Sequence, residues 1–189
     1  MTPMEDFNRL PDAVARQRLL SCCSSTKWAD EVLAARPYAC LDVLLSTSDG
    51  CVRAMAEADL LAALAGHPRL GDRRSAAGWS RREQSGVSGA DAAVLNALAD
   101  GNAEYERRFG HIYLACATGR SAADLLAFLR ERLDNDRDTE WGVVAAELAK
   151  INQIRLRKLI GGAIESDATN SGTTSDGKSV SGTTADGAA

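Results

Sequence analysis

Asp136-Arg-Asp-Thr-Glu-Trp141-Gly-Val-Val144-Ala-Ala-Glu-Leu148-Ala-Lys150-Ile151-Asn-Gln-Ile-Arg155-Leu-Arg157-Lys-Leu159-Ile160 reads as one long helix. At 100° per residue, Trp141, Val144, Leu148, Ile151 and Leu159 fall on one narrow face, while Lys150 and Arg157 point the other way. Gly161-Gly162 supplies a natural stop. The segments upstream carry the same period. Ser121-Ala-Ala-Asp124 resembles a helix start and leads into a helix over 125–133. Another helix runs from just after Gly89 to about Arg108, and one opens at Ser80. Helices are also predicted over about 57–66, with Leu60, Leu61 and Leu64 as the stripe, from near Pro37 to about Leu45, and over 27–35, stopping before Pro37. The first two cover 11–22, with Val14, Leu19 and Leu20 inward, and a short run opened by Thr2-Pro3-Met4-Glu5, a capping box with proline at its first position. Residues 111–117 are apolar and short, and fit a strand or a buried helical turn. No alternating pattern is long enough to build a sheet. The expected fold class is all-α, a single compact irregular bundle over residues 1–162.

Beyond that bundle the composition changes. The last 25 residues are nearly all Ser, Thr, Gly, Asp and Ala, and Val180 is the only sizeable apolar residue among them. Such a segment buries too little to offset its ordering entropy, so residues 163–189 are expected to be a disordered low-complexity tail. The whole chain of 189 residues carries a net charge of −4 and only 5% aromatics. No basic cluster invites a nucleic acid or an anionic membrane. No apolar run approaches the roughly 20 residues a bilayer demands, and the N-terminus lacks a signal core, so the expected location is cytoplasmic. Five cysteines without a CxxC pair, and two histidines in all, support free thiols and no metal site.

Three places resist a purely structural reading. Arg155 lies in the middle of the apolar face of the last helix, and a buried guanidinium must be paired. It is either an internal ion pair or an anchor for an anionic ligand, which suits its fork of donors. His67 continues the stripe of Leu60 and Leu64 at a helix end, within the tight loop Gly66-His67-Pro68-Arg69-Leu70-Gly71-Asp72. It is either a packed cap or a proton-handling group. Ser80-Arg-Arg-Glu83-Gln84 fits a capping box, and the same first turn can present a hydroxyl, a carboxylate and an amide to one small polar ligand. His111 reads as structural, and Cys116, within an apolar run, reads as core rather than nucleophile.

At these residues the chain resembles the OHCU decarboxylase family. The resemblance is carried in order by residues 66–72, by Ser80-Arg-Arg-Glu83-Gln84-Ser-Gly86, by Tyr105-Glu-Arg-Arg-Phe109-Gly110, and by Gly119-Arg120-Ser121. It continues through Arg130-Glu-Arg132-Leu133-Asp-Asn135-Asp136 and Glu147-Leu-Ala-Lys150-Ile151-Asn-Gln-Ile-Arg155-Leu156. Cys22-Cys23-Ser24 with Trp28, and Arg36-Pro37-Tyr38, belong to it as well. It implies an all-helical, typically homodimeric enzyme with no metal or organic cofactor. Its substrate is a small molecule, 2-oxo-4-hydroxy-4-carboxy-5-ureidoimidazoline, which loses carbon dioxide to give (S)-allantoin in urate degradation. Carried over residue by residue, it makes His67, Glu83 and Arg155 catalytic. It makes Pro68, Ser80, Gln84 and the run Tyr113, Leu114, Ala115, Cys116 and Ala117 substrate-binding, although that run departs from the family's usual wording. The competing readings are a non-catalytic helical interaction module, a metal-dependent hydrolase using His67, Asp72 and Glu83, and a relative acting on another small ureide.

Overall fold

Helix-starting and helix-stopping residues act where the sequence places them. Thr2 Oγ1 accepts the Glu5 N–H at 3.2 Å and the Glu5 carboxylate accepts the Thr2 N–H at 2.8 Å, closing the predicted capping box. Ser121 and Asp124 close a second one, and the side chains of Asp91 and Asp136 cap two more helices. The computed structural model describes residues 2–70 and 91–162. Among them lie eight helices and no strand: α1 (Pro3–Arg9), α2 (Asp12–Cys22), α3 (Thr26–Ala34), α4 (Leu41–Arg53), α5 (Glu57–Leu64), α6 (Ala92–Phe109), α7 (Ala122–Leu133) and α8 (Arg137–Ile160). The fold class is all-α. The helix expected to open at Ser80 and the tail over 163–189 lie outside the described residues.

α8 is the organising element. It packs against α4, α2 and α1, while α6 and α7 pack on each other. Two apolar clusters result. The larger joins α1 to α5 with α8, around Trp28, Leu44, Leu148 and Leu156. The smaller joins α6 and α7, around Leu98, Tyr105, Leu125 and Leu129. Of the predicted α8 stripe, Val144, Leu148, Ile151 and Leu159 are buried, Trp141 is half-buried, and Lys150 and Arg157 are exposed.

Four expectations are corrected. In α2 the buried face is Ala15, Leu19 and Cys22, a 4–3 spacing. Val14 stands a residue off that register, is 39% exposed, and Leu20 is only half-buried. In α5 Leu60 and Leu64 are buried, but Ala63 completes the face and Leu61 is 40% exposed. α4 begins at Leu41, not near Pro37, and continues to Arg53. Tertiary hydrogen bonds hold the residues before it out of a helix. The Tyr38 N–H donates to Asn8 Oδ1 at 2.9 Å, and its carbonyl accepts Asn8 Nδ2 at 2.8 Å. Arg36 Nη1 donates to the Phe7 and Leu10 carbonyls, both at 3.0 Å. Residues 112–117 are neither strand nor helix. Leu114 and Cys116 enter the larger cluster, with Ile112 packed against it, while Tyr113, Ala115 and Ala117 enter the smaller. This period of two marks an extended segment laid along the seam between the clusters.

Candidate active site

The loop after α5 is fixed at several points. The His67 N–H donates to the Leu64 carbonyl at 2.9 Å, which turns the chain as the helix ends. A β-carbon at Gly66 would stand 1.7 Å from Ser24 Oγ, so only glycine lets the loop pass this close to the start of α3. Asn102 Nδ2 donates to the Leu70 carbonyl at 3.1 Å, and Arg69 forks onto Glu106 at 2.5 and 2.8 Å. α6 thereby holds the far end of the loop.

The imidazole so placed is sheltered. His67 Nε2 is out of contact with solvent and finds no hydrogen-bond partner among the described residues. Burial, and then the nearby Arg155 charge, lower its pKa to about 3. The ring is therefore neutral at physiological pH. His67 borders a small cleft together with Pro68, Leu70, residues 113–118 and Ile151. All the described substrate-lining residues expected from sequence (Pro68, Tyr113, Leu114, Ala115, Cys116 and Ala117) meet here. Ser80, Glu83 and Gln84, and the Asp72 of the metal-dependent alternative, lie outside the described residues.

Arg155 stands one turn of α8 beyond Ile151 and is only 5% exposed. Its Nη1 donates to the Cys22 carbonyl at the end of α2, at 2.9 Å. Its field reaches His67 on one side and the Cys23 thiol on the other, where it partly offsets the upward push of burial on that thiol. The arginine and the imidazole, from distant stretches of chain, are thus electrostatic neighbours. His111 sits in an aromatic cluster, its ring 4.3 Å from that of Trp141 and 5.4 Å from that of Tyr105. The five cysteines are free thiols, three of them buried. Among the described residues no group of three His, Cys, Asp or Glu side chains is placed to hold a metal.

Sequence reasoning missed several buried polar groups: Tyr105, Arg132, Glu140, Glu147 and Asn152. A signal existed for the charged ones. Glu140 and Glu147 are seven apart, on the flank of the same stripe as Val144 and Ile151. Arg132 follows Leu125 and Leu129 at the spacing of one helical face.

Comparison with known proteins places this arrangement. Residues 8–157 match the family model described as OHCU decarboxylase. The chain is 31% identical over 145 residues to the uric acid degradation bifunctional protein TTL of Arabidopsis thaliana, covering 73% of this chain and 45% of that protein. It is 39% identical over 70 residues to a 2-oxo-4-hydroxy-4-carboxy-5-ureidoimidazoline decarboxylase of Amia calva, covering 37% of this chain and 38% of that protein. A crystal structure of OHCU decarboxylase in the presence of (S)-allantoin superposes with a TM-score of 0.67 at 28% identity, covering 80% of this chain and 99% of that one. The chain spans less than half the length of the curated relatives it matches.

Proposed function

Because the chain belongs to the OHCU decarboxylase family, we propose that it removes the carboxylate of 2-oxo-4-hydroxy-4-carboxy-5-ureidoimidazoline as carbon dioxide and yields (S)-allantoin in urate catabolism. One observation carries the reading beyond the family match: an imidazole nitrogen shielded from solvent, with no hydrogen-bond partner among the described residues, borders a small cleft, and a buried guanidinium from a distant stretch of chain lies near enough to act on it.

The substrate carries its carboxylate on a carbinol carbon beside a C=N bond. When the carbon–carboxylate bond breaks, its electron pair moves into that C=N, and a proton must then return to the ring from one face. His67, neutral in the free protein, is suited to take or relay that proton rather than to act as a standing cation. Arg155 anchors substrate oxygens with its guanidinium. On the family resemblance, Glu83 orients or shares the proton with His67, Gln84 joins Arg155 in holding the ring and ureido oxygens, and Ser80 adds a hydrogen bond. The C=N bond is itself the electron sink, so the reaction asks for no organic cofactor or metal.

The test is to feed freshly generated intermediate to the pure protein and follow the optical activity of the product. Wild type is expected to give one enantiomer, where uncatalysed decay gives a racemate. His67→Asn is expected to lose about 10²–10⁴-fold in rate, together with stereoselectivity. A variant with wild-type rate and chirality would reject the role of His67. Activity unchanged by a chelator is expected; its loss would favour the metal-dependent alternative.

The same resemblance supports a homodimer, expected at twice the monomer mass in light scattering. A cytoplasmic location is the accompanying proposal, to be checked by fractionation. Among the described residues no helix is long and apolar enough to cross a membrane.

A further inference from the structure

The cleft wall over 113–117 lacks the hydrogen-bond ladder of a sheet and the internal bonds of a helix, so its backbone groups need other partners. Two of them are met by buried charges. Arg132 Nη1, from α7, donates to the Leu114 carbonyl at 2.6 Å. Glu147 Oε2, from α8, accepts the Cys116 N–H at 2.8 Å. Both side chains are almost wholly buried. Each is braced from behind. Glu140 takes Arg132 Nε at 2.9 Å and Nη2 at 2.5 Å, and Asn135 and Tyr105 complete that group. Lys150 donates to Glu147 Oε1 at 2.5 Å, and Arg120 approaches Oε2 at 3.4 Å.

In an extended segment, peptide groups two residues apart point to the same edge, so Leu114 and Cys116 present one edge to these two charges. A buried ion cluster is often no more stabilising than apolar residues of equal volume, so stability alone does not account for this one. Its placement does. Glu147 precedes Arg155 on the same helix by eight residues, a rise of about 12 Å. One rigid element therefore carries both the substrate anchor and the hold on the opposite wall.

We propose that Glu147 and Arg132 are positioning residues: by gripping the backbone at Cys116 and Leu114 they fix the cleft wall relative to His67 and Arg155. They touch no substrate in this role, which rests on the decarboxylase reading above.

The test compares Glu147→Gln, Glu147→Asp and Glu147→Leu with wild type in turnover of fresh intermediate, thermal melting, and hydrogen exchange at residues 113–117. The amide oxygen of Gln can still accept the Cys116 N–H, so that variant should stay within about threefold of wild type. In Leu the acceptor is gone, and KM should rise by about tenfold or more, with kcat within about threefold and exchange along the wall accelerated. Asp, which withdraws the carboxylate by one methylene, should also raise KM. Wild-type KM in Leu, Gln as impaired as Leu, or a loss confined to kcat would each overturn the proposal. Should Leu not fold, equal KM in Asp and Gln would do so. Wild-type protein unable to turn over the intermediate would instead overturn the decarboxylase reading, and this role with it.

Discussion

At the residue scale, the chemistry of the site follows from one side chain, His67, whose surroundings oppose its ordinary state. His67 has a folded pKa of about 3 against an ordinary 6.5, so the unfolded chain takes up a proton first. Its neutral form favours the fold fully above pH 6.5, and that contribution is lost as pH falls from 6.5 toward 3. Wild type should therefore lose melting temperature more steeply than His67→Asn over that window; equal slopes would contradict the assigned environment. Because the chain has only two histidines, imidazole NMR reads this directly, and burial lowers the pKa of His111 too. The His67 ring should not titrate near pH 6.5, and the His111 ring should titrate below its ordinary value. Asn152 is fully buried; its side chain meets the Cys23 thiol, a weak partner, and neither amide atom makes a stronger hydrogen bond among the described residues. Exchanging it for an apolar group of the same size removes an unmet polar cost, so Asn152→Leu should match or exceed wild type in a urea melt. His67 and Arg155 were legible because each interrupts an apolar stripe. Asn152 was not, since nothing in a helical period distinguishes a satisfied amide from an unsatisfied one.

At the scale of elements, caps and glycines were legible and the interior register was less so. Capping is local: Thr2 with Glu5, and Ser121 with Asp124, need only residues three apart, and both appear as read. The start of α4 was missed because it is set by the pairing of Tyr38 with Asn8 and of Arg36 with Phe7 and Leu10, stretches about thirty residues apart, and no local pattern encodes that. The seam segment was ambiguous for the opposite reason. Its period of two is real, but each side faces a core, so both sides are apolar and the alternation of a half-buried strand is absent. The bend after α5 yields a sharp prediction. Gly66→Ala should destabilise by about 1–3 kcal/mol or more through the clash with Ser24. Ser24→Gly in the same chain should recover most of the loss, and a double variant no better than the single one would show that the contact is not the cause.

At the scale of the whole molecule, the fold class was legible in composition and period, and α8 ends at Ile160, one residue before the paired glycines. Of the described residues expected at the site, His67, Pro68 and residues 113–117 border one cleft, and Arg155 lies near His67. How they are held was not legible, because the holding is done by charges on other helices. If residues 163–189 play no part in catalysis, a chain ended at Gly162 should keep kcat/KM within about twofold of the full chain, a difference of under 1 kcal/mol. A larger loss would assign the tail a task. The alternate rooting of residues 112–117 has a last consequence. Each half of the molecule owns every second side chain of the same short segment, so neither half can loosen without disturbing the place where substrate sits. Turnover should then register the opening of whichever half is weaker, and catalysis should fade with the first partial unfolding event rather than with the last.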